Sequence, residues 1–315
     1  MKKSKTSSGG EPIEKQARRK EKAPRKRRLL RGLLVALALL ILLGSAELLW
    51  SNYHISVSQY TLSSPKIAAP IRVVFLSDLH GREFGGGNQR LLEQIAAQEP
   101  DLIALVGDIF NQDADAAEID AMCGFIHACT EIAPTYFGLG NHEAEYLETD
   151  AAGLLDRIRA AGATVVDNSY VDLELKGSQL RLGGYMGYFG QPHMMTHDPE
   201  LIQKEKDFFG AFKRTESFKL LLNHIPTGWL DWEYINKDSV DLVLSGHYHG
   251  GVVRIPFLEQ GLYAPYIGKF PPYTKGMFVG TKAVCILTTG LAGSYGIPRF
   301  FNPPEICAVE VCPQE

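Results

Sequence analysis

Thiol chemistry has little to work with in this 315-residue chain. Five cysteines (Cys123, Cys129, Cys285, Cys307, Cys312) form no CxxC pair and no zinc-finger spacing, which argues against a thiolate metal site or a dithiol redox centre. They read as ordinary buried thiols, with a Cys307–Cys312 disulfide open to the chain if its domain is exported. There is no internal repeat, which argues against a solenoid or propeller. Basic charge is scarce beyond residue 31. Residues 1–31 hold thirteen Lys and Arg against three Glu, leaving 19 basic and 33 acidic side chains, a net −14, for the remainder. So acidic a region lacks the footprint that nucleic acid requires. No nucleic-acid partner is expected, and small or lipid-linked substrates are favoured. The 45% apolar content is nevertheless ordinary for a chain that buries a full core.

Long apolar runs are also few. The longest begins at Gly32 and continues past Glu47 to Trp50, just reaching the ~20 residues a membrane span needs, with Trp50 and Tyr53 as interfacial aromatics. Arg25-Lys-Arg-Arg28 and Arg31 precede it, so the positive-inside rule places the following domain outside the cytoplasm. Two rival readings exist. Gly44-Ser-Ala46 has the small residues of a signal cleavage site, and Arg27-Arg28 faintly resembles a twin-arginine signal. The expected organisation is a disordered basic tail over 1–28, a single-pass anchor over 29–50, a linker and leading strand over 51–70, and a catalytic domain over 71–315. No pattern in the chain bears on oligomeric state.

What is abundant is a repeated ending. Ile71–Leu76, Leu102–Val106, Tyr136–Leu139, Lys219–Leu222 and Leu242–Ser245 are short apolar runs of strand character. They deliver, in order, Asp78 with His80, Asp108, Asn141 with His142, His224, and His247 with His249. Ligand sites of open α/β sheets lie at the carboxyl ends of strands, so these side chains are expected to converge. Helices are expected over Asn88–Gln98, Ile119–Cys129, Leu154–Ala161 and Leu201–Lys213, with further strands near Val165, Leu180, Val284–Thr288 and Ala308–Val311. Strand-helix alternation predicts a layered α/β fold. Phe257–Phe278, rich in Pro, Gly and aromatics, reads as a long ordered loop close to the site.

Asp78-Leu-His80, Gly107-Asp108, Gly140-Asn-His-Glu143, His224 and Gly246-His-Tyr-His249 resemble the successive motifs of the calcineurin-like metallophosphoesterases, over nearly all of residues 71–311. The resemblance is closest to the membrane-associated bacterial branch, which carries an N-terminal hydrophobic segment and a Gly-His-x-His-Gly-Gly block. Gly290-Leu, Gly296-Ile-Pro-Arg299 and Asn302-x-Pro-Glu305 also resemble that branch. It implies a four-layer αββα sandwich and a two-metal site. Asp78, His80, Asp108 and His249 would hold one metal, and Asp108, Asn141, His224 and His247 the other, with Asp108 as the bridge. Two metals about 3.5–4 Å apart acidify a bridging water and clamp phosphoryl oxygens, making hydroxide the expected nucleophile. Carboxylate and imidazole donors suit Mn, Fe or Zn rather than Ca.

His142 follows a ligand position without occupying one and is the expected general acid. The family usually places Asp after this His. Glu143 stands here, keeping a carboxylate able to orient the imidazole. The expected activity is phosphodiester or lipid-linked pyrophosphate hydrolysis. The alternatives are a phosphomonoesterase, including a protein phosphatase, or a silent metal-binding scaffold. Taken singly, each residue has a plainer reading: Asp78 and Asp108 as helix N-caps, Arg82 and Asn88 as a surface residue and a cap rather than phosphate contacts, Arg254 and Arg299 as scaffold ion pairs rather than substrate clamps. His127, His193 and His197 fall outside the pattern and read as structural or surface residues.

Overall fold

Along the strand Ile71–Leu76, Val73 and Phe75 face one way and Val74 and Leu76 the other, and all four are buried. A strand covered on both faces lies between layers. Residues 13–149, 153–188, 198–265, 267–294 and 296–314 are described by a computed structural model.

One six-stranded sheet has the order β1-β16-β2-β3-β4-β5. Its strands are β1 (Ser56–Ser64), β2 (Ile71–Leu76), β3 (Leu102–Val106), β4 (Thr135–Gly138), β5 (Thr164–Val166) and β16 (Glu305–Pro313). β2 through β5 are parallel, while β16 runs antiparallel to β2 and parallel to β1. The second sheet has the order β14-β15-β9-β8-β7-β6. It contains β6 (Ser169–Leu175), β7 (Ser178–Tyr185), β8 (Phe218–Asn223), β9 (Leu242–Ser245), β14 (Gly276–Val279) and β15 (Val284–Leu287).

Phe75, Ala104 and Val106 from the first sheet share a core with Leu182, Leu220, Leu222 and Leu244 from the second, so the two sheets pack face to face. The outer face of the first is covered by α2 (Gln89–Ala96), α3 (Ala116–Thr130) and α5 (Gly153–Ala160). That of the second is covered by α6 (Pro199–Lys213) and α7 (Thr227–Leu230), through Phe208, Phe212 and Trp229. The expected αββα sandwich is the observed fold.

Three differences from the sequence reading have physical causes. The helix α1 runs Ile13–Tyr53, so helical backbone extends back into the segment read as a disordered tail. Lys, Arg, Glu, Gln and Ala, which fill that segment, are good helix formers. Lys26–Tyr53 is long and apolar enough to cross a membrane by length and composition, and Leu29–Leu43 is exposed throughout. Second, the chain divides into Met1–Glu47 and Leu48–Glu315, so the latter unit starts well before residue 71. β1 belongs to it, since it pairs with β16 along nine residues. Third, the expected loop Phe257–Phe278 carries short strands. β10 (Arg254–Ile255) pairs with β11 (Gln260–Gly261), and β12 (Tyr263–Ala264) with β13 (Gly268–Lys269).

No Cys307–Cys312 disulfide forms, and all five thiols are free. Both residues lie on β16, five positions apart. At roughly 3.3 Å of rise per residue they are about 16 Å apart, against the roughly 4.4–6.8 Å a disulfide spans.

Candidate metal centre

Each donor is set by a turn that follows its strand. Asp78, His80, Asp108, His247 and His249 all adopt left-handed backbone, with φ of 56°, 48°, 53°, 70° and 47°. Non-glycine residues pay for that conformation, and it persists where surrounding structure over-determines it, most often at functional sites. Here the loops hold one another. The Asp78 N–H donates to the Gly107 carbonyl at 3.1 Å, and the His80 N–H to the Asp108 carbonyl at 3.0 Å. Ser77 Oγ donates to Val106 O at 2.9 Å. Gly140 is required beside them, because a Cβ there would collide with the Asp108 carboxylate. Neither Asp78 nor Asp108 is the N-cap residue of a helix that follows it, but Asp108 Oδ1 accepts the His142 N–H at 2.9 Å, in the first turn of the helix over 141–147.

The side chains from all five strand ends meet. Asp78, His80 and His249 each offer a donor atom within 4.8 Å of the others, and so do Asp108, His224 and His247. Asp108 also groups with His80 and His142 in the same way. Asp108 Oδ2 lies 3.1 Å from His224 Nε2 and 3.8 Å from His80 Nε2, which puts one carboxylate between the two clusters. Asp78 Oδ1 is 3.5 Å from His249 Nε2, and the His247 N–H donates to the Asp78 carboxylate at 3.1 Å. His224 Nδ1 donates to the Val106 carbonyl at 2.8 Å, turning Nε2 inward, a backbone orientation typical of metal-ligating histidines. Asn141 begins α4 (Asn141–Leu147). His80 Nε2 and Asn141 Oδ1 are buried without a hydrogen-bond partner among the described residues.

Burial and charge compete across this cluster. Burial pushes the Asp78 carboxyl up. At Asp108 burial acts the same way, but the His224 and His80 imidazoles prevail and hold it below the usual carboxylate range. Burial, opposed by Asp108, brings His80 down to about 4. Burial and then Arg299 bring His249 down to about 3, and burial with His224 keeps His247 well below its ordinary value. At His224 burial is outweighed by Asp108 and Asp78, which raise it to about 10. Three neutral imidazoles, two carboxylates and two unsatisfied donor atoms form a set that fits divalent metals, whose binding would replace the His224 proton.

A cavity of about 480 Å³ opens over the cluster, lined by His80, Asp108, Asn141, His142, His247 and His249 among others. His142 stands at its wall, its ring edge-on to His80 at 4.5 Å between centroids. The Gln112 N–H donates to His142 Nδ1 at 3.3 Å. A neutral ring accepting there carries its proton on Nε2.

The expected role of Glu143 is corrected. Its carboxylate is fully buried and accepts from four backbone N–H groups, those of Asp108, Ile109, Phe110 and Gly140, at 2.8–3.0 Å. It ties the Asp108 turn to the start of α4 rather than orienting the imidazole. Arg299 lines no part of the cavity over the cluster and has no ion-pair partner among the described residues. It is wholly buried and donates to the carbonyls of Ala292 (2.8 Å), Asn302 (3.2 Å) and Thr289. The Ala292 carbonyl also faces His249 Nδ1 at 3.4 Å, so Arg299 sits behind that imidazole. Nothing local in the sequence marks this role.

Arg82 stacks over Phe84 and Tyr53 and donates to Leu291 O and Asn52 O, away from the cavity. Arg254 holds Gly250 O, Thr274 Oγ1 and Glu259 O, and Asn88 accepts from the Phe84 N–H at 2.8 Å. His127 lies beside the Ala161 carbonyl, while His193 and His197 fall outside the described residues.

The profile of the calcineurin-like phosphoesterases matches residues 71–251, more than half of the chain and the stretch that carries every donor named above. The chain belongs to that family. It is a metal-dependent phosphoric ester hydrolase by that membership. It is 27% identical over 265 residues to the uncharacterised protein YpbG of Bacillus subtilis, covering 83% of this chain and 89% of that one. It is 28% identical over 248 residues to the phosphodiesterase YaeI of Escherichia coli, covering 78% and 83%. A Danio rerio transmembrane protein with a metallophosphoesterase domain is 25% identical over 252 residues, 77% of this chain and 53% of that protein.

Proposed function

We propose that this protein hydrolyses phosphodiester or lipid-linked pyrophosphate bonds from a single-pass anchor, with its site outside the cytoplasmic membrane. The observation that carries the reaction is Asp108, one buried carboxylate shared by a group with His80 and His142 and a group with His224 and His247, on the lining of an open cavity. Asp78, His80, Asp108 and His249 would hold the first metal, and Asp108, Asn141, His224 and His247 the second. Manganese, iron and zinc all suit these donors. When bound, the metals supply an acidified water and neutralise phosphoryl charge. His142 acts on the departing alcohol as the imidazolium, giving up one ring proton and ending as the neutral ring whose Nδ1 accepts the Gln112 N–H. The relative named as a phosphodiesterase supports the diester reading. The span within Lys26–Tyr53, preceded by Arg25-Lys-Arg-Arg28, supports the topology.

A second reading of His142 has its own observation, since its donor atom also lies within 4.8 Å of those of His80 and Asp108. In that reading it is a ligand, and its removal lowers metal content.

The test is hydrolysis of bis(4-nitrophenyl) phosphate and 4-nitrophenyl phosphate by the full chain, stripped of metal and titrated with manganese. Metal-dependent turnover favouring the diester is expected. Preference for the monoester moves the assignment to a phosphatase, and tight metal binding without turnover moves it to a scaffold. A reporter fused after Glu315 is expected to signal from outside the cytoplasm, and a cytoplasmic signal reverses the topology.

A further inference from the structure

A second cavity, of about 360 Å³, adjoins the first and is lined by Gly251, Val252, Val253, Leu262, Tyr263 and Ile297. Three segments pass from one cavity wall to the other. His249 faces the polar cavity and Gly251 the apolar one, Pro265 and Tyr263 divide in the same way, and so do Gly296 and Ile297. The apolar cavity therefore starts within a residue or two of the metal-cluster wall, and its size falls within the roughly 300–1,000 Å³ of small-molecule sites.

Its walls are built with care. Val252 has φ 59° and ψ −64°, and the Val253 N–H donates to the Gly251 carbonyl at 2.7 Å. That is a γ-turn with positive φ, rare for any residue and strained for a β-branched one. Strain of this kind persists at ligand clamps. Gly251 packs so closely on Gly261 that a Cβ would collide with it, and the Leu262 N–H reaches the Val253 carbonyl at 2.9 Å. In the same stretches of chain Phe257 is wholly exposed, with Leu258, Phe270 and Phe301 exposed by 68%, 59% and 39%.

The same wall receives the last turn of α1. The Asn302 N–H donates to Ser51 Oγ, the Arg299 N–H to Asn52 Oδ1, and Asn52 Nδ2 to the Arg299 carbonyl at 2.9 Å.

We propose that this cavity receives the hydrocarbon tail of an amphiphilic phosphoester whose phosphate lies in the metal cavity. The occupant is the tail of the substrate itself, because residues one or two positions apart on three segments line the apolar cavity and the reacting site. This rests on the phosphoester hydrolase reading above and narrows its substrate to a lipid phosphoester.

The test is a series of alkyl 4-nitrophenyl phosphodiesters, ethyl to decyl, hydrolysed by the full chain in lipid nanodiscs with manganese. Each methylene that leaves water for the cavity is expected to raise kcat/KM by about twofold to fourfold, until the cavity is full. In Val253→Asp, and independently in the more exposed Ile297→Asp, the decyl-to-ethyl ratio is expected to drop at least tenfold. A flat wild-type series overturns the tail site and leaves the hydrolase intact. An unchanged slope in a folded variant also overturns it, assigning the chain-length effect to partition into the bilayer. No turnover of any ester, with metal bound, overturns the hydrolase reading and the tail site with it.

Discussion

The two walls of the metal cavity are made in different ways. On one, Asp78, His80, Asp108 and Asn141 each follow directly from the end of their own strand, and neighbouring loops lock them by short backbone hydrogen bonds. On the other, His249 rests against a strap over residues 289–302 whose support comes from a buried arginine and from Ser51 and Asn52, some 250 positions away. The first wall is local and chemical, the second remote and architectural. Candidate donors can therefore be read from motifs while the framework behind His249 cannot.

Substitutions on the two walls should separate by size and kind. Asp108→Asn is expected to lower hydrolysis by at least about 10³-fold, the several kcal/mol that metal charge stabilisation is worth. Metal analysis should show both ions depleted; a fully loaded, active variant removes Asp108 from the bridging position. His142→Ala comes next, with a loss of about 10²–10⁴-fold that grows as the leaving group worsens. Metal content should stay at the wild-type level, and a fall would make His142 a ligand.

Glu143→Gln tests the scaffold of the local wall. It leaves backbone N–H groups facing an amide and is expected to cost about 2–4 kcal/mol in denaturant unfolding. Stability equal to the wild type would contradict the four-donor arrangement. The smallest effect belongs to the remote wall. Asn52→Ala should cost about 1 kcal/mol of domain stability and raise KM more than it lowers kcat, because the strap shifts without loss of a donor. A larger fall in kcat than from His142→Ala would erase the distinction between the walls.

The local wall was legible because strands buried on both faces read as short, unbroken apolar runs. β2, β3 and β9 have the bounds that hydrophobicity alone draws. The donors stood out because Asp, Asn and His at five strand ends have no packing use in common. β1 was harder. Its Ser, Gln and Thr residues alternate in a half-exposed edge strand, and its single partner is β16. Glu143 stands beside the His142 imidazole in sequence but does not contact it as expected, since a carboxylate next to a histidine in sequence points elsewhere once a helix begins at Asn141. Arg299 carried no signal at all, because an arginine that serves only carbonyls leaves no acidic partner to find.

The pairing of β1 with β16 also orders events in time. Ser56–Ser64 is synthesised directly after the apolar helix, yet among the described residues it pairs with no strand other than the one made from residues 305–313. Its edge therefore stays open through the production of the intervening residues, a state prone to mispairing. Closing the β1 edge is then a late step in biogenesis, and a nascent chain stalled before residue 305 should expose that strand to proteases or chaperones.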